Sequence, residues 1–137
     1  MMSNIFISFL LFVSFCLNFQ GNEIESFEYV AKGRGVFKQV IIRKDSTFIR
    51  DLETENKILT KSETWSYLKE VSSKKELKKL NSLTSPTEKR FSDQALSAQL
   101  LIKTNKSEYV SSEFDHGYPP EGIKKIVETL VSSFNSK

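Results

Sequence analysis

The chain has 137 residues, 20 basic and 17 acidic side chains, a net charge of +3, one histidine and one cysteine. So mild a positive balance does not make a nucleic-acid surface, and a single histidine excludes a multi-histidine metal site. With Cys16 alone, no disulfide can form within the chain, so stability must come from a packed core, for which eleven Phe residues supply apolar area.

From Ile5 to Phe19 the sequence is apolar and uncharged, too short to cross a bilayer as a helix, which needs roughly 20 such residues. It reads as the core of a secretory signal spanning Met1 to about Gly21, leaving residues 22–137 as one small, cysteine-free domain that is periplasmic or secreted. No Lys or Arg precedes Ile5. Cleavage is expected between Cys16 and Gly21, with Ser14-Phe15-Cys16 the best site, since Phe19-Gln20-Gly21 puts a ring where a small residue is preferred. A lipid anchor through Cys16 is the alternative, opposed by Phe15, which stands where a lipoprotein signal wants a small side chain.

Two alternating runs, Phe27–Ala31 and Val36–Arg43, flank Gly33-Arg34-Gly35 and predict a hairpin, its second strand apolar on both sides and therefore central. After a turn at Lys44-Asp45-Ser46, the alternation from Thr47 to Leu52 predicts a third strand. Thr60-Lys61-Ser62-Glu63 and Ser73-Lys74-Lys75-Glu76 both have capping-box spacing. Each is followed by an apolar stripe, Trp65, Leu68 and Val71 in the first case and Leu77, Leu80 and Leu83 in the second, so two short helices are expected before Ser85-Pro86.

Gln94–Thr104 and Lys106–Asp115 predict a second hairpin. A two-residue loop at Asn105-Lys106 would set Ala98 against Glu113. A three-residue loop, Asn105-Lys106-Ser107, instead sets Ile102 against Val110, Ala98 against Phe114 and Leu96 against His116, and is preferred on that ground. Pro119-Pro120-Glu121 opens a last helix carrying Ile123, Ile126, Val127, Leu130 and Phe134 at helical spacing. The class is α+β: an antiparallel sheet of about five strands, with helices on one face.

This register brings the approach to the fourth strand and the exit from the fifth to one end of the sheet. Lys89, Arg90 and Asp93 enter there, Asp115, His116 and Tyr118 leave, and the last helix is expected to turn its amino end toward them. A carboxylate or phosphate ligand suits such a corner. The competing reading is structural: Asp115 orders a turn, Arg90 pairs with Asp93 or Asp115, and His116 closes a hydrogen bond at the rim of the core. Metal binding would require Glu113, Asp115 and Glu121 to converge, and none is expected. Adjacent strand residues point to opposite faces, so Asp115 and His116 do not make a catalytic pair, and no nucleophile elbow is present. The lysines at 61, 69, 74, 75, 78 and 79 alternate with Glu63, Glu70 and Glu76 and read as a solvated helix face.

The segments Ser85-Pro86-Thr87-Glu88-Lys89-Arg90, Asp93-Gln94-Ala95 and Tyr109 to Pro120, above all Phe114-Asp115-His116-Gly117-Tyr118-Pro119-Pro120, resemble an uncharacterised family of small exported proteins of Bacteroidetes. The resemblance runs from near Tyr29 through most of the domain. It implies a periplasmic or surface location and carries over no activity and no ligand. The resulting expectation is a monomeric, non-enzymatic binding or interaction module without cofactor, whose partner is a protein or a small anionic ligand. The alternatives are a hydrolase-like enzyme at the Arg90, Asp93, Asp115 and His116 corner, or a structural accessory protein of the envelope.

Overall fold

The computed structural model describes residues 21–136; the signal reading, which rests on Ile5–Phe19 and Cys16, lies outside them. Among the described residues seven strands form one antiparallel sheet: β1 (Ile24–Gly33), β2 (Val36–Arg43), β3 (Ser46–Asp51), β4 (Glu55–Leu59), β5 (Ser97–Thr104), β6 (Glu108–Val110) and β7 (Phe114–Asp115). Their order is β4-β3-β2-β1-β5-β6, with β7 also pairing β5. Between β4 and β5 lie helix α1 (Ser62–Ser73) and 3-10 turns at Leu77–Ser82 and Lys89–Ser92. After β7 a 3-10 turn, Glu121–Ile123, leads into α2 (Lys124–Ser132). Among the described residues no helix is long and apolar enough to cross a membrane.

The α+β class is as the patterns imply, and the alternation has its expected cause. Phe27, Tyr29 and Ala31 of β1, Val40 and Ile42 of β2, and Ala98, Leu100 and Ile102 of β5 all lie on one face and are buried. Their cover includes Trp65 and Leu68 of α1 and Ile126, Val127 and Leu130 of α2. Each buried Val, Leu, Ile or Phe side chain among them contributes roughly 1.5–3 kcal/mol on burial. Phe27 meets the Trp65 ring edge-on at 5.6 Å. On the opposite face Val30, Ile41, Phe48 and Leu101 are half-buried among long polar side chains. Arg43 and Lys57, for example, set their cations 5.4 and 5.6 Å from the centre of the Phe48 ring.

Several expectations need correction. The first meander has four strands: β4 was not expected, because its five residues are all exposed and offer no buried row to read. Neither capping box forms. The Thr60 hydroxyl bonds that of Thr47 at 2.8 Å, and α1 starts behind Lys61 without a side-chain cap. Ser73 sits within α1 and bonds the Glu70 carbonyl at 2.7 Å. The second helix is a single 3-10 stretch, for which Leu77, Leu80 and Leu83, spaced strictly by three, match the three-residue turn. The fourth predicted strand starts at Ser97 instead of Gln94, since Lys89–Ser92 coil into a turn ended by Asp93 at φ 55°.

The second hairpin uses both registers considered. Next to the loop, Lys103 pairs Glu108, Ile102 pairs Tyr109 and Leu101 pairs Val110, the pattern of a two-residue loop. Beyond Ser112 the partners are Ala98–Phe114 and Ser97–Asp115, one residue displaced. The extra residue is absorbed as a bulge at Ser111-Ser112, not in the loop. Ser111 is buried; its hydroxyl accepts from the Leu100 amide at 2.9 Å, and its own amide donates to the Leu100 carbonyl at 2.8 Å. The bulge returns Phe114 to the core face, where it packs against Tyr29.

Candidate functional site

At the predicted corner the organising group is the Asp115 carboxylate, fully buried. One oxygen accepts from the Thr87 hydroxyl and from the Lys89 amide at 2.7 Å. The other accepts from the Arg90 amide at 3.1 Å and from Arg90 Nη1 at 3.0 Å. A carboxylate has about four acceptor sites, and four donors occupy them. Burial pushes the Asp115 pKa up, but the Thr87 hydroxyl, the Arg90 guanidinium and the two amides outweigh it and hold the value down to about 2. Arg90 is itself largely buried and also donates to the Thr87 carbonyl at 3.1 Å. Arg90 and Asp115 are thus committed to fastening the segment before β5 onto β7.

The other expected residues turn away from that carboxylate. His116 turns away from Asp115, as strand alternation requires, and its Nδ1 lies 2.8 Å from the Tyr29 hydroxyl. Burial, with a smaller contribution from Lys38, lowers the His116 pKa, so the neutral ring accepts from the phenol. Burial raises the Tyr29 pKa, keeping that proton in place. Lys89 stacks its ammonium 4.1 Å from the centre of the Tyr118 ring and donates to the Tyr118 hydroxyl at 2.9 Å. Lys89, Asp93, His116 and Tyr118 border a shallow depression of about 450 Å³ beside the β1–β2 turn. The amino end of the last helix does not join them: Gly122 and Ile123 lie beside Lys74, Lys75, Leu80 and Leu83.

A larger cleft, of about 860 Å³, opens where the start of β1 and the β2–β3 turn face α1. Buried Trp65 and half-buried Ile24, Leu77 and Tyr109 supply its apolar wall. Around it stand Arg43, Lys44, Lys69, Lys75 and Lys78, against Glu23, Glu25 and Asp45. Glu25 is drawn off by Lys103 at 3.8 Å. Lys44, Lys69, Lys75 and Lys78 make no ion pair among the described residues.

Neither protein-family models, nor curated proteins, nor solved structures gave a match to this chain. The site therefore rests on its own geometry.

Sequence reasoning did not assemble this cleft. One of its signals was present: Trp65, Lys69 and Ser72 recur at helical spacing, so a lysine sits one turn beyond the tryptophan on a single face of α1. The remainder comes from Ile24 and Tyr109, distant in sequence and brought to one end of the sheet by β5 pairing both β1 and β6.

Proposed function

We propose that the protein is an exported, non-catalytic binding module that holds an anionic ligand with an apolar body in the cleft beside Trp65. One observation carries the reading: four lysines that make no ion pair among the described residues surround an apolar wall in a recess of ligand size. A carboxylate, sulfonate or phosphate would meet those ammonium groups, and the apolar body would lie against Trp65, Tyr109 and Leu77. The corner does not compete as a seat for the charge, because its buried guanidinium is already held by Asp115. Export is supported by the apolar stretch Ile5–Phe19.

Trp65 is the sole tryptophan, so its emission reports the cleft directly. Titration with naphthalene-2-carboxylate is expected to change that emission saturably, and the uncharged naphthalene-2-carboxamide to bind about tenfold more weakly. Lys69→Gln combined with Lys78→Gln should weaken the carboxylate by a similar factor. Equal binding of acid and amide, or no saturable change with either, overturns the reading.

A further inference from the structure

The outer edge of β4 carries unused main-chain groups whose phase can be read from the ladder. Thr60 N donates to Asp45 O at 3.3 Å, and Asp51 N donates to Thr54 O at 3.0 Å. Between these ends β4 pairs β3 in unbroken register, Ile58 with Thr47 and Asn56 with Ile49. Antiparallel strands alternate the direction of their hydrogen-bonding groups. Asn56 and Ile58 therefore bond inward, whereas Glu55, Lys57 and Leu59 direct their amides and carbonyls to the free edge. All five residues of β4 are exposed, and among the described residues the sheet order leaves nothing beyond it.

We propose that β4 is a self-association edge, where a second copy of this chain adds antiparallel about a two-fold axis through Asn56. That register alone among the neighbouring in-phase ones places Glu55 opposite Lys57 of the second copy, and Lys57 opposite its Glu55. These are the residues whose main-chain groups are free, so each pair exchanges two main-chain hydrogen bonds, about four across the seam. Moving the axis to Lys57 would set the two lysines against each other, and like charges directly opposite are unfavourable. On the other face of the strand the two Asn56 carboxamides meet at the axis, each offering both a donor and an acceptor. Leu59 and Leu52, at 87% and 67% exposed, come to the ends of the same seam, Leu59 beside the turn of the second copy that holds Leu52. The opposite edge of the sheet offers no equivalent, because β6 has only three residues and the chain then bulges at Ser111-Ser112.

Sedimentation equilibrium of the purified protein between about 10 µM and about 1 mM tests the seam, an edge contact being small and therefore weak. The expected result is a mass rising toward twice the monomer, with association weakened by salt. Lys57→Glu should reduce the association constant about tenfold or more by opposing acid to acid in both pairs. The double variant Glu55→Lys, Lys57→Glu should restore much of it; within the monomer it replaces the exposed Arg50–Glu55 pair at 3.5 Å by two cations across the β3–β4 ladder, an exposed contact costing about 1 kcal/mol or less. Lys57→Pro removes an outward amide together with the ammonium beside Phe48, leaves the inward bonds to β3 in place and is tolerated on an edge strand; it should abolish association with an unchanged circular dichroism spectrum. A monomer at every concentration, or a dimer indifferent to Lys57→Pro, overturns the proposal. Association equally weak in the single and the double charge variant overturns the register.

Discussion

Replacing Asp115 with Ala isolates the cost of the corner's buried charge. The substitution removes the acceptor for four donors at once and leaves the Arg90 guanidinium, whose side chain is 13% exposed, facing an apolar methyl. Breaking one side of a buried ion pair costs about 3–5 kcal/mol. The whole stability expected of a domain this size is about 6–17 kcal/mol, so the loss is a large fraction of it. The midpoint of thermal unfolding should fall by about 10–25 °C. Urea and thermal unfolding followed by Trp65 emission and by circular dichroism would measure it.

Adding Arg90→Met to Asp115→Ala removes the stranded charge and should recover part of the loss. Acid supplies an independent reading. The unfolded carboxyl takes up its proton near its ordinary 3.8, while the folded one resists until about 2. Its stabilisation is therefore complete above pH 3.8 and disappears as the pH falls through that interval. Asp115→Asn should be less stable than the parent at neutral pH and should lack this acid-dependent component. A loss below about 1 kcal/mol for Asp115→Ala, or a double variant less stable than the single one, would refute the assignment of Asp115 as the charge-balanced clamp.

Two further outcomes follow from other parts of the chain. Ser111→Ala leaves the Leu100 amide without its acceptor inside the sheet and should cost about 1–3 kcal/mol in urea unfolding, whereas Ser107→Ala on the exposed loop should cost less than about 0.5 kcal/mol. Intact-mass analysis of the protein recovered from an exporting host should give an amino terminus after Cys16 and no later than Asn22. Retention of Met1, or an acylated Cys16, would contradict cleavage to a soluble form.

What the sequence made legible follows from which residues are packed. β1, β2 and β5 announce themselves because Phe27, Tyr29, Val40, Ile42, Leu100 and Ile102 repeat along one buried face. β4 is silent because none of its five residues is buried, and a strand held by main-chain bonds and exposed charged side chains leaves no periodic apolar mark. The second hairpin was readable at its far end, where Ala98 meets Phe114, but not beside the loop, where Ile102 pairs Tyr109 and not the expected Val110. Counting loop residues locates a one-residue slip without saying where it is absorbed, and only the burial of a small hydroxyl at Ser111 singles out the bulge. The corner residues were foreseen as neighbours, but the choice between ligand site and clamp turns on the Lys89 and Arg90 amides, which every sequence possesses. The cleft was obscured because Lys69 and Lys78 look like ordinary solvated lysines until Ile24 and Tyr109 arrive beside them.

The pairing of β1 with β5, Phe27 against Ile102, also governs how the chain can fold. The β1–β4 meander closes through short turns, so it can form early. β1 nevertheless stays an open edge until the chain has been made through Thr104 and brought back across α1. Contacts so distant along the sequence are slow to form. The return of β5 to the centre of the sheet is thus the longest chain closure between neighbouring strands, and until it is made Phe27 and Tyr29 lack the neighbours that complete their burial.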